Sequence, residues 1–182
     1  TLNQYTQQAK PDLLFFDDYV FEYQHWGPWP GGSPTRMYSN MAKYHSAGKR
    51  GTEGDFSQPI PVGNWIQTFK ADDLADNEHI VSKSEIGLQY FSAWAFGYKA
   101  IAAFTYTTYD QTDPVASVFF DGRLDTHPTD LFYHAAEMNR QSLNLGPALI
   151  RLLNTDIRIN LGQNGMGEND RPEFMLRWKP KA

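Results

Sequence analysis

Acidic, amide and aromatic side chains gather near the ends of three apolar segments of this sequence. The residues that could do chemistry are three carboxylates, one amide and five aromatic rings: Asp17, Glu22, Asp110, Gln67, Tyr19, Trp26, Trp29, Trp65 and Tyr106. Carboxylates act as general acids, general bases and nucleophiles, whereas amides and rings hold a ligand by hydrogen bonds and stacking. The set therefore predicts a binding site with carboxylates beside aromatic surfaces.

Composition limits the partners that such a site could have. The chain has 182 residues, 41% of them hydrophobic, and a formal net charge of -5 with scattered Lys and Arg. It can bury the core of one domain, and it lacks the basic patch that nucleic acid binding requires. No apolar run approaches the roughly 20 residues that span a bilayer. We therefore expect a neutral ligand, no nucleic acid partner and no membrane span.

The sequence also predicts no metal and no cofactor. It contains no cysteine, which excludes disulfides and thiolate chemistry. His127 and His134 are two helical turns apart, about 10 Å, which is too far to share an ion. His25, His45 and His79 stand alone. Phosphate-binding and dinucleotide-binding motifs are absent from the sequence.

Regular elements must position these side chains. Continuous apolar runs at 12–19, 60–67 and 100–107 predict buried parallel strands. Between them, one helix is predicted from Pro34 to Gly48, and a second follows the capping-box pair Ser82 and Glu85. Another begins near Pro128 and is predicted to stop at 146–147, and residues 2–9 suggest the end of an earlier helix.

Strands that alternate with helices predict an α/β fold with a parallel sheet. Three strands cannot close a barrel, and a full (β/α)8 barrel takes about 250 residues. Asp121 and Gly122 between apolar residues predict a hairpin with a two-residue turn. A strand is predicted from Leu149 to Ile159. We therefore divide the chain into residues 1–147, a βα region, and residues 148–182, a β-rich extension or tail.

Four segments together resemble the C-terminal half of beta-galactosidase-like (β/α)8 glycoside hydrolases; they are residues 11–19, 59–69, 84–106 and 121–147. The resemblance spans about residues 10 to 159 and implies a partial TIM barrel containing about the last three βα units. It also implies a neutral poly- or oligosaccharide as substrate and favours an extracellular or periplasmic protein. The N-terminal part of the barrel would come from the same polypeptide or from a partner chain.

In that superfamily a Glu at the end of the seventh barrel strand is the nucleophile, and the acid/base carboxylate follows the fourth strand. This sequence has Gln67 at the seventh-strand position, and an amide cannot attack an anomeric carbon. The resemblance therefore leaves Asp17, Glu22 and Asp110 as candidate catalytic carboxylates. For Glu22 and Asp110 the alternative is a solvated loop charge.

Each remaining candidate also has a structural alternative. Strand alternation places Asp17 and Tyr19 on one face and Asp18 on the other, where Asp18 would cap a helix or loop. Asp17 could instead make a structural hydrogen bond, and Gln67 could be a buried amide rather than a contact to sugar hydroxyls. Trp65 could stack on a sugar or fill a barrel layer.

Two further groups of rings complete the predicted binding surface. Trp26 and Trp29 lie in a Pro- and Gly-rich loop, which is typical of a binding rim but is also compatible with local loop packing. Tyr106 is predicted to reach the cavity, with Phe104 packed below it.

These observations leave three hypotheses for the function. The first is a glycoside hydrolase, and the second is a non-catalytic carbohydrate-binding barrel. The third is a small doubly wound α/β binding protein, for which 182 residues would suffice.

Overall fold

The computed structural model describes residues 1–21, 34–71, 80–108, 115–121, 127–152 and 154. The helices are α1 (Leu2–Ala9), α2 (Pro34–Arg50), α3 (Lys83–Ala95) and α4 (Asp130–Leu149). The strands are β1 (Leu14–Asp17), β2 (Val62–Gln67), β3 (Phe69–Ala71), β4 (Ala100–Phe104), β5 (Val115–Ser117), β6 (Phe120–Asp121) and β7 (His127–Pro128). The three predicted strands are confirmed as β1, β2 and β4, in an α/β fold.

The central sheet is parallel and has the order β1-β2-β4. Leu14 pairs with Val62, and Gly63 pairs with Ala100, so the three strands begin at one edge and end at the opposite edge. Two antiparallel pairs, β3 with β5 and β6 with β7, follow the ends of β2 and β4. The carboxyl-terminal edge of the parallel sheet therefore carries most of the additional structure.

One face of this sheet holds the hydrophobic core. Leu14, Phe16, Val62 and Ile66 point to the same face and belong to one cluster with buried side chains of α2, α3 and α4. Phe16 stacks on Tyr44 of α2 with ring centroids 3.9 Å apart. When adjacent strands of a sheet also follow each other along the chain and right-handed crossovers join them, the connecting helices all lie on one face of the sheet. The opposite face of the described sheet is not covered by these helices.

Local sequence signals fix where α3 starts and stops. The Ser82 side chain accepts a hydrogen bond from the backbone N–H of Glu85, and the Glu85 carboxylate accepts one from the N–H of Ser82. This confirms the predicted capping box. At the other end Gly97 has φ 72°, and the N–H of Tyr98 donates to the carbonyl of Ala93. A left-handed glycine here ends the helix and directs the chain into β4.

Three sequence predictions are wrong in detail. Helix α4 continues through Pro147 to Leu149, so it does not stop at 146–147 as predicted. For the same reason Leu149, the predicted first residue of a strand, is helical. Pro147 has no N–H to donate to the carbonyl four residues earlier, so one backbone hydrogen bond near the end of α4 is missing. The register pairs Asp121 with His127, so five residues separate them and the hairpin lacks a two-residue turn. The division into residues 1–147 and 148–182 stays a prediction, because most of 148–182 lies outside the described residues.

Within the described ranges, no helix is both long and apolar enough to cross a bilayer.

Candidate functional site

The face of the sheet opposite the helices, here called the open face, carries alternate residues of the three parallel strands. The register aligns Asp17 with Trp65 and Trp65 with Ala102. One residue pair further along, Gln67 aligns with Phe104 at the ends of β2 and β4. Side chains from three strands therefore meet at the carboxyl-terminal edge, where open α/β sheets and barrels place their binding sites.

Aromatic rings form the floor of the site. Phe104 lies at the centre, with its ring centroid 6.3 Å from that of Trp65, 5.5 Å from that of Tyr19 and 5.8 Å from that of Phe69. Trp65 and Phe104 remain 39% and 41% exposed although they are large apolar residues. The floor thus presents ring surface to solvent and is held in place by two edge-to-face contacts and by the stacking of Tyr19 on Phe104.

Gly63 allows Phe15 to brace this floor. A Cβ atom at position 63 would lie 2.5 Å from Cε2 of Phe15 and 2.7 Å from the carbonyl oxygen of Ala100. The absence of a side chain lets the Phe15 ring lie across β2, where it meets Trp65 edge to face at 5.4 Å. A larger residue at position 63 would displace the ring that supports Trp65.

The two adjacent carboxylates at the end of β1 have different surroundings. Asp18 accepts hydrogen bonds from Arg36 at 2.6 Å and from Asn40 at 2.8 Å, and only 8% of its side chain is exposed. Asp18 therefore faces α2, as predicted, but the bonds described come from two side chains of that helix and not from a backbone N–H, as a cap would require. Asp17 is exposed, and no hydrogen bond to its carboxylate occurs among the described residues. Together with its neighbour, Asp17 raises the pKa of Tyr44, although burial of that ring is the larger cause.

Gln67 has a structural role in the described fold. Its side chain is 1% exposed, and its Oε1 accepts a hydrogen bond from the backbone N–H of Phe21 at 3.0 Å. Gln89 of α3 accepts from the Gln67 N–H at 2.7 Å and donates to the Gln67 carbonyl at 3.2 Å. Burial leaves little surface for a sugar hydroxyl, which favours the buried-amide alternative for Gln67 over the predicted ligand contact.

Tyr106 does not join the ring floor around Phe104. It is 53% exposed and contacts Phe119, Phe120 and Phe132 instead. Phe104 was expected to pack below Tyr106, but it is a central, exposed member of the open face. Because β4 ends at Phe104, the alternation of a strand does not extend to Tyr106, and the two rings contact different neighbours.

Four predicted site residues lie outside the described residues, namely Glu22, Asp110, Trp26 and Trp29. Their assigned roles stay predictions. In the part of the chain that the structure describes, no three His, Asp or Glu side chains are grouped as metal ligands.

A cavity lies at the other end of the sheet. It has a volume of about 390 Å³ and is lined by His45, Lys49, Lys99 and residues just before β2 and β4. Lys99 donates to the carbonyl oxygens of Leu149 and Leu152 at the end of α4. Burial, followed by the charge of Lys49, lowers the pKa of His45. The two hydrogen bonds from Lys99 give it a structural role at the end of α4. The cavity lies at the opposite end of the sheet from the ring floor.

Sequence reasoning missed several residues that build the site. Phe15 and Phe69 support the ring floor, and Gln89 fixes the end of β2. The period-2 alternation of Phe15 with Asp17 could have revealed the first. No local signal identifies Gln89, because its partner is 22 residues away in the sequence.

Comparisons with known proteins identified no relative of this chain. No protein-family model, no curated protein and no solved structure matches the chain.

Proposed function

We propose that this chain is part of a carbohydrate-active (β/α)8 barrel, a glycoside hydrolase that acts on a neutral poly- or oligosaccharide. One observation carries the proposal: the exposed Asp17 carboxylate is aligned with the exposed Trp65 ring at the carboxyl-terminal edge of the open face. A ring that can stack on the apolar face of a sugar then lies beside a carboxylate that can act on it.

The sheet topology supports the barrel part of the proposal. Strand order follows chain order, and α2 and α3 cover the same face, as in a singly wound barrel. A doubly wound sheet would carry helices on both faces. Among the described residues, neither the outer edge of β1 nor that of β4 pairs with another strand. Further strands, from the same polypeptide or a partner chain, would close the barrel and enclose the open face.

The chemistry follows from the surroundings of Asp17. Glycoside hydrolysis passes through an oxocarbenium-like transition state and needs two carboxyl groups around the scissile bond. Asp17 would supply one of them, since its carboxylate is exposed and makes no hydrogen bond among the described residues. The second would be Glu22 or Asp110, or a residue of the strands that close the barrel. Trp65, Phe104 and Tyr19 would hold the sugar ring.

The test compares Asp17, the last residue of β1, with Asp12, which lies two residues before that strand begins. Asp12 is exposed and lies five residues before Asp17, about 17 Å away along an extended chain. We would measure the release of reducing sugar from a panel of neutral glycans by the complete barrel, that is, by this chain together with the strands that close it. Asp17→Asn should lower turnover at least about 100-fold, the lower end of what a positioned proton donor or acceptor contributes, whereas Asp12→Asn should leave turnover unchanged. Equal rates in the two variants would exclude the role of Asp17.

The burial of Gln67 favours a second candidate, a barrel that binds sugar without cleaving it. The end of β2 holds a buried, hydrogen-bonded amide where a nucleophilic carboxylate would be expected by resemblance. For this candidate, calorimetry would detect glycan binding that is lost in Trp65→Ala, while no glycan in the panel would be hydrolysed. Glycan hydrolysis by the wild-type chain would exclude it.

A further inference from the structure

Tyr106 belongs to a second ring cluster beyond the end of β4. Its ring centroid lies 5.6 Å from that of Phe120, 6.1 Å from that of Phe119 and 6.4 Å from that of Phe132. Phe119 is buried and Phe132 is half-buried, whereas Tyr106 is 53% exposed. The cluster therefore supports the Tyr106 ring from one side and leaves much of it in contact with solvent.

The backbone beneath this ring is tightly held. Ser117 Oγ donates to the Tyr106 carbonyl at 2.8 Å, and the Ser117 N–H donates to Thr108 Oγ1 at 3.0 Å. Ser117 Oγ in turn accepts from the Phe119 N–H at 3.1 Å. On the preceding side, Thr68 Oγ1 donates to the Thr105 carbonyl at 3.2 Å. Residues on both sides of Tyr106 are thus anchored to β5 and to the end of β2.

An exposed ring on a fixed support is suited to ligand binding. A surface tyrosine with no partner usually has a mobile side chain, and ordering it on binding costs free energy. Here the three neighbouring rings and the anchored backbone order Tyr106 before any ligand arrives. A flat, amphipathic surface that is already ordered loses little entropy when a second ring stacks on it.

The second cluster lies close to the open face. Tyr106 follows Phe104 by two residues, so their Cα atoms are at most about 7 Å apart. Polar groups flank it: Thr107 is exposed, and the exposed pair of Asp121 and His127 lies at the β6–β7 ends beside Phe120. Hydrogen-bonding groups beside a stacking surface match a hydroxyl-rich ring better than a purely apolar ligand.

We propose that Tyr106, backed by Phe120, is a separate platform for a second sugar ring, so that the ligand is a saccharide chain of at least two units. The chain would run along the carboxyl-terminal edge from Trp65 and Phe104 to Tyr106. This inference rests on the proposed function, because it assigns the first ring to the open face.

The experiment measures affinity against ligand length. Calorimetry with the proposed complete barrel, in which the 182-residue chain is joined by the strands that close it, would use glucose and galactose and their neutral oligosaccharides of two to about six units. Tyr106→Ala should lower the affinity for the oligosaccharides about five- to tenfold, as expected for one lost stacking contact, and leave the affinity for the monosaccharides unchanged. Tyr106→Phe should retain most of the affinity, because the ring remains. Tyr5→Ala is the matched control, since Tyr5 is also 53% exposed but lies on α1.

The outcomes separate this inference from the function on which it rests. Trp65→Ala should lower the affinity for ligands of every length, because it removes the first platform. If Trp65→Ala does so while Tyr106→Ala affects all lengths equally or none, the second platform is wrong and the proposed function stands. If no saccharide binds to the wild-type protein with its barrel complete, both are overturned. Circular dichroism of each variant would confirm that a loss of affinity is not a loss of fold.

Discussion

The two faces of the central sheet are built from alternate residues of the same strands, yet they have opposite properties. On the helix-covered face, Ile66 is 0% exposed and belongs to a core that includes residues of three helices. Its neighbour Trp65, on the open face, is 39% exposed. Asp18 is bonded to α2, whereas Asp17 is exposed. The covered face stabilises the fold, and the open face is the one to which the proposed function assigns ligand binding.

The largest effect is expected on the covered face. Ile66→Ala removes a fully buried side chain from between the sheet and its helices, and the surrounding atoms can refill the space only in part. Such a truncation lowers the free energy of unfolding by about 2–5 kcal/mol. Urea denaturation followed by circular dichroism measures it. A loss below about 1 kcal/mol would mean that this face is not the stabilising one.

Alkaline pH should act on the same face through Tyr90. Burial raises the pKa of Tyr90 to about 12, and the hydroxyl donates to Asn139 at 2.8 Å. The folded state thus retains the phenolic proton to higher pH than the unfolded state, whose pKa is about 10. This contribution to stability is complete below pH 10 and is lost as the pH rises through about 12.

Tyr90→Phe cannot ionise and should remove this part of the alkaline transition. The free energy of unfolding of the wild type should fall by about 2–3 kcal/mol more than that of Tyr90→Phe between pH 9 and pH 12. Urea titrations of both proteins at several pH values would measure the difference. Parallel curves over that range would contradict the assignment.

The paired aspartates sharpen the comparison within a single dipeptide. Asp18→Ala removes the acceptor of Arg36 and Asn40 at a site with only 8% exposure, so we expect a loss of about 1–3 kcal/mol in unfolding free energy. Asp17→Ala should change stability by less than about 0.5 kcal/mol, because the exposed carboxylate has no hydrogen bond to lose among the described residues. Chemical denaturation of the two variants in one buffer decides the matter, and equal losses would refute the distinction.

The sequence predicted those parts of the fold that local patterns encode. Three continuous apolar runs indicated the parallel strands, and the Ser82 and Glu85 pair indicated where α3 begins. Alternation alone separated Asp17 from Asp18. These signals act over one to four residues, which is the range that a period or a cap can report.

Other features depended on contacts between distant segments. The burial of Gln67 is set by Phe21, 46 residues away, and by Gln89 of α3. The different surroundings of Phe104 and Tyr106 depend on β5 and α4, which no local pattern places. The Gly146 and Pro147 pair gave a local stop signal that the last turn of α4 overrides. Side-chain roles at strand ends were therefore harder to predict than the strands themselves.

Only a small effect on stability is expected at Trp65, although it is the largest side chain in the comparison. It contacts Phe15 and Phe104, but truncation to alanine opens a surface depression that water can fill instead of a closed cavity. We therefore expect Trp65→Ala to lower the unfolding free energy by less than about 1.5 kcal/mol, well below a buried Trp truncation. Urea denaturation beside Ile66→Ala measures this directly. A loss as large as that of Ile66→Ala would show that the open face stabilises the chain as much as the covered face does, and Trp65 would then be core and not a binding surface.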